Sequence, residues 1–134
     1  MKGHARNLMT ERVTAVAPGT ELEAIAQTLV AERISGVPVV DQENRVLGLV
    51  SETDLLAALL RDRNGDATAK DVMSRPPITV DEFATTDEVL ALMRESHIHH
   101  LPVVREGRLV GIISPLDVLR FFVERVLEPP PEVG

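Results

Sequence analysis

The sequence contains no cysteine, no tryptophan and no tyrosine, and its only benzenoid rings are Phe83, Phe121 and Phe122. Without cysteine there is no disulfide framework, no thiol nucleophile and no cysteine-based zinc site. So few rings leave no platform on which single-stranded bases would stack. Positive charge is also scarce: 14 Lys and Arg stand against 21 Asp and Glu, a net charge of −7. That surplus repels a polyphosphate backbone, so nucleic acid is not an expected partner. Long apolar runs are missing too. The longest, residues 55–60, falls far short of the roughly 20 residues a membrane-spanning helix needs. Residues 1–7 carry Lys2 and Arg6 with no apolar run behind them, unlike a secretory signal. The expectation is a soluble, cytoplasmic protein without a membrane partner.

What is present is a repeat. A length of 134 residues suits one ordinary domain or two very small ones. A unit of about 60 residues buries only about 60% of the surface its unfolded chain exposes, so two such units must cover each other's apolar faces. Sliding the sequence by 64 positions lays Leu8, Met9 and Thr10 on Val72, Met73 and Ser74, Val16 on Val80, and Ile34 on Ile98. The same shift lays Val37, Pro38, Val39 and Val40 on Leu101, Pro102, Val103 and Val104. One residue is then lost in a loop, and at a shift of 63 Arg45, Gly48, Ser51, Asp54 and Leu56 meet Arg108, Gly111, Ser114, Asp117 and Leu119.

Periodicity supplies the elements of each copy. Leu22, Ile25, Ala26, Leu29 and Val30 recur at helical spacing, with Thr20 as the expected N-cap. The β-branched runs 37–40 and 46–50 flank a polar turn and predict a hairpin, followed by a helix over 52–61. The second copy predicts a helix over 86–96, strands at 101–104 and 109–113, and a helix from 115 to about 127. With opening strands at 14–16 and 78–80, each copy is β-α-β-β-α. The first repeat is assigned to residues 1–62, a linker to 63–71, the second repeat to 72–128, and a Pro-rich, disordered tail to 129–134.

The best-defined polar feature is Gly-x-x-Ser-x-x-Asp, which occurs as Gly48, Ser51 and Asp54 and again as Gly111, Ser114 and Asp117. Each sits where a strand gives way to a helix. One reading is helix capping: the serine accepts a backbone N–H, the aspartate favours the positive end of the dipole, and Pro115 suits a first turn. The other reading is ligand binding, in which the N–H groups and the serine meet an anion while the carboxylate accepts from ribose hydroxyls.

Two copies of β-α-β-β-α, each with a hydrophobic-Pro-Val-Val strand and this junction, resemble a tandem pair of cystathionine β-synthase domains, the Bateman module. The resemblance runs from about Leu8 to Leu127. It implies an α/β fold of the α+β kind, two pseudo-twofold-related repeats packed through their sheets. It also implies a free-standing regulatory, non-enzymatic module that binds an adenosine-containing ligand (AMP, ADP, ATP or S-adenosylmethionine) and signals by a conformational shift. The phosphate and ribose contacts map to Ser51 with Asp54 and to Ser114 with Asp117. Cleft-lining positions map to Val16, Ser35, Gly36, Val37 and Pro38 in the first copy. In the second they map to Thr79, Val80, His99, His100, Leu101 and Pro102. The second copy is the more polar, while Glu52 adds a negative charge to the first, so occupancy of the second cleft is favoured. With so few rings, adenine is expected between Val16, Val37, Val80 and Leu101. The alternative is a structural or dimerisation module with empty clefts.

His97, His99 and His100 invite a metal reading, but alternation along a strand would send His100 to the face opposite the other two, and no metal site is assigned. One of His99 and His100 is instead a candidate phosphate contact. A magnesium ion accompanying a polyphosphate is left open, since no spacing singles one out. No nucleophile-base pair is evident, so no catalytic residue is assigned. The second helix of each copy is apolar on several faces, which predicts a homodimer formed through these helices. An unidentified effector protein would receive the signal.

Overall fold

The computed structural model describes residues 2–62 and 64–125. The first repeat holds α2 (Leu22–Glu32), the hairpin strands β1 (Gly36–Val40) and β2 (Val46–Ser51), and α3 (Glu52–Arg61). The second holds β3 (Val80–Asp81), α5 (Thr86–Ser96), β4 (Leu101–Arg105), β5 (Arg108–Ile113) and α6 (Pro115–Arg125). Two short helices precede these blocks, α1 (Ala5–Leu8) and α4 (Ala69–Val72). The Pro-rich tail and the last residues expected in α6 lie outside the described residues.

Each hairpin is antiparallel and carries a register shift at the same place, between Val39 and Val40 and between Val103 and Val104. The opening strands are shorter than expected. β3 pairs in parallel with β4 through Val80 and Asp81, whereas its counterpart contracts to one parallel bridge from Val16 to Val39. Helix α2 also departs from expectation: its N-cap is Glu21, without a side-chain cap. Thr20 is used elsewhere, its carbonyl accepting the Ala69 N–H at 2.9 Å. Helix α5 is closed by a reciprocal capping box between Thr85 and Glu88.

Each repeat has its own core, and the chain exchanges segments between them. Ile25, Val37, Val39 and Val50 centre the first, Val89, Leu101, Val103 and Ile113 the second. Ala5 and Leu8, at the start of the chain, pack into the second core, while Ala69 of α4 packs into the first. Backbone pairing follows the same exchange: Thr10 bridges Ile112, and Ser74 bridges Leu49. Both bridges lie against the motif glycines. A Cβ on Gly48 would lie 2.6 Å from the Ser74 carbonyl oxygen, and one on Gly111 would lie 2.3 Å from the Met9 sulfur. The hairpins meet where Leu109 N–H donates to the Asn44 carbonyl at 3.0 Å and where the His100 ring lies over Gly36.

Candidate functional site

Both junctions turn a strand into a helix through a capping serine, but the two aspartates differ. In the first, the Asp54 N–H donates to Ser51 Oγ at 3.2 Å. The Asp54 side chain is exposed, and its carboxylate has no partner among the described residues. In the second, Asp117 is buried, with 6% of its surface exposed. Its Oδ1 accepts from the Thr10 hydroxyl at 2.9 Å and from Arg120 at 3.0 Å. Its Oδ2 accepts from the Ser114 backbone N–H at 2.8 Å and the Ser114 hydroxyl at 3.0 Å. Only part of the difference lies in residue identity: Ala57 stands where the other copy has Arg120, whereas Ser74, at the place of Thr10, keeps a hydroxyl but donates it to the Leu49 carbonyl at 3.2 Å.

Two clefts open beside these junctions. The first, about 940 Å³, is bounded by residues 51–54, residues 74–78 and residues 97–100. The second, about 660 Å³, is bounded by residues 114–117, residues 10–14 and residues 33–36. Each therefore joins the junction of one repeat to the opening segment and pre-strand loop of the other. Ser35, His99 and His100 line both. This crossing corrects the expectation that each cleft is polar according to its own copy: the histidine loop of the second repeat faces the Ser51 junction.

His100 sits between the clefts. Its Nε2 lies 2.6 Å from Ser35 Oγ, and a Cβ on Gly36 would come within 3.1 Å of its ring. Burial holds its pKa below the ordinary imidazole value, the nearby His99 charge acts in the same direction, and Glu52 opposes both. The alternation argument does not apply to these histidines. His97 is the left-handed C-cap of α5, and His99 and His100 precede β4, so all three reach the first cleft. Among the described residues, no group of three or more His, Asp or Glu is placed to hold a metal ion.

The aliphatic walls expected around adenine are elsewhere. Val37, Pro38, Leu101 and Pro102 are fully buried, and Val16 and Val80 belong to the cores. Neither they nor Thr79 line the two clefts. Successive residues of β1 and β4 are buried, so these strands are covered on both faces and their side chains are taken up by the cores. The aliphatic side chains that do line the clefts are Leu49, Ile78 and Ile98 in the first and Val13, Ile34, Ile112 and Leu116 in the second. Two of these pairs, Ile34 with Ile98 and Leu49 with Ile112, fall at repeat-equivalent positions, a signal present in the sequence. Arg12, Arg33, Arg75 and Arg120 also line the clefts and were not among the expected site residues.

The doubled β-α-β-β-α fold with a cleft at each exchanged junction defines a tandem-repeat module. The CBS domain family model matches residues 5–61 and 69–124, and the chain belongs to this family. Hypoxic response protein 1 of Mycobacterium tuberculosis is 33% identical over 127 residues, spanning 92% of this chain and 87% of that protein. The crystal structure of Hypoxic Response Protein I, with two coordinated zinc ions, matches with a TM-score of 0.80 at 30% identity, covering 88% of this chain and 98% of that one. CBSX2 in complex with AMP matches at 0.81 and 28% identity, covering 90% and 96%. The CBS domain pair of protein MJ0100, in complex with 5′-methylthioadenosine and S-adenosylmethionine, matches at 0.80 and 25%, covering 90% and 99%. The chain spans 41% of one Methanocaldococcus jannaschii relative and 23% of that organism's inosine-5′-monophosphate dehydrogenase. No described helix is long and apolar enough to cross a membrane.

Proposed function

We propose that this chain is a regulatory module that binds an adenosine-containing ligand between its repeats and acts by binding rather than by catalysis. The observation that carries this reading is the open Asp54 carboxylate beside the Ser51-capped start of α3, in a cleft of about 940 Å³. Asp54 accepts from ribose hydroxyls, Ser51 adds a hydroxyl beside it, and Leu49, Ile78 and Ile98 form an aliphatic surface for adenine. Ser35, His99 and His100 complete the polar lining. The AMP complex of CBSX2 and the MJ0100 complex support the ligand class.

Ser114, Asp117 and Gly36 belong to the second candidate cleft, where the bonds of Asp117 favour capping. To grip a ribose, Asp117 would have to release Thr10 or Arg120. The 51–54 cleft is therefore favoured as the one whose aspartate grips a ribose, whereas the sequence-based expectation favoured the Asp117 cleft.

The signal is a population shift. A ligand touching both repeats favours the relative orientation in which its contacts are best, and only that difference in affinity can reach an effector. A second copy is proposed to cover the apolar faces of α3 and α6, where Leu56, Leu60, Leu116, Leu119 and Val123 are exposed. With no tryptophan or tyrosine the protein barely absorbs at 280 nm, so a 260 nm band reports a co-purified nucleotide. Mass spectrometry of the released compound should find an adenosine derivative. Nucleotide-free protein that gives no saturable binding to AMP, ATP or S-adenosylmethionine would sink the reading.

A further inference from the structure

We infer that the two clefts sort adenosine ligands by the charge of the 5′ substituent: the 51–54 cleft takes a neutral or cationic one, the 114–117 cleft an anionic one. This rests on the ligand class proposed above and assigns chemistry to each cleft.

The charged groups around the first cleft are Glu52, Asp54 and Arg75. Neither carboxylate has a partner among the described residues, so both fields act on whatever enters. His100 adds little positive charge near neutral pH, because burial favours its neutral form. A 5′ phosphate there meets repulsion from Glu52, whereas a sulfonium or a thioether does not.

The second cleft has the opposite balance. Its lining holds Arg12, Arg33 and Arg120 against Glu32 and Asp117. Asp117 is paired with Arg120 at 3.0 Å, and Glu32 accepts the Thr14 hydroxyl. That leaves Arg12 and Arg33 without partners among the described residues, both exposed at the cleft. The two repeats also differ at equivalent positions. Arg33 and His97 occupy the same left-handed helix cap, at φ of 56° and 53°, so one cleft gains a permanent cation where the other has an imidazole. Arg12 stands where the other copy has Pro76, and Pro115 stands where the other has Glu52. Pro115 removes one N–H donor from the start of α6, so anion binding in that cleft falls to the guanidiniums.

The test is calorimetric titration of the full chain, stripped of nucleotide, with AMP and with 5′-methylthioadenosine, alone and together. Wild type should bind both at once. The ratio of the AMP to the methylthioadenosine dissociation constant should rise about tenfold in the Arg12→Gln, Arg33→Gln double variant, the loss of a charge-assisted contact. In Glu52→Gln the same ratio should fall several-fold. All three side chains are exposed, so folding is not at stake. Competition between the two ligands for one cleft overturns the inference and leaves the parent reading intact, as does a ratio unmoved in both variants. Failure of wild type to bind either ligand overturns both.

Discussion

Asp54 and Asp117 hold the same place in the two copies, yet only one is free to act. Replacing Asp117 by Ala removes the partner of Thr10, Ser114 and Arg120, and should cost about 1–3 kcal/mol in urea unfolding. Asp54→Ala removes an exposed first-turn carboxylate, worth under about 1 kcal/mol to stability. Equal losses in the two variants would contradict the assignment of a structural role to Asp117. His100 gives a second prediction. Its pKa is lowered on folding, so the unfolded chain binds more protons as pH falls below about 6.5. The stability due to this group is therefore present above that pH and is lost as pH falls through the lower folded value. Wild type should lose stability relative to His100→Gln between about pH 7 and pH 5, and a difference independent of pH would count against the burial argument. The repeated Ser and Asp were legible in the sequence. Which aspartate is occupied was not, because its partner Thr10 is 107 residues away along the chain.

At the scale of elements, the hairpins and long helices followed from helical spacing of apolar residues and from β-branched runs flanking polar turns. The opening strands did not, because their length is set by pairing to a distant partner rather than by local preference. The motif glycines were visible without their reason: at both junctions an exchanged segment lies against the strand. Gly48→Ala should therefore destabilise by about 1–3 kcal/mol, because its Cβ would meet the backbone oxygen of Ser74 at 2.6 Å. Gly19→Ala, with nothing within 4 Å of its added Cβ, should change stability by less than about 0.5 kcal/mol. Thermal or urea unfolding of the two variants checks this, and similar behaviour would mean that the close approach at Gly48 imposes no constraint.

At the scale of the molecule, the two repeats are interlocked by α1 and α4, each packed in the core of the other half. The repeat alignment pairs Leu8 with Val72 but carries no information on which core either enters, so this exchange was hidden from the sequence. The interlock is what lets each cleft draw on both halves, the arrangement that the proposed population shift requires. The same packing leaves apolar faces uncovered, with Leu60 78% and Leu116 63% exposed. Sedimentation should find a dimer that the Leu60→Asp, Leu119→Asp double variant converts to a monomer with unchanged helical content. A wild-type monomer at micromolar concentration would refute the second copy as occupant. The central claim, an adenosine ligand held through Asp54, is tested most directly by calorimetric titration of nucleotide-free wild type and Asp54→Ala with 5′-methylthioadenosine. Saturable binding that weakens about tenfold or more in the variant is the predicted result, and equal affinity in the two proteins would contradict it.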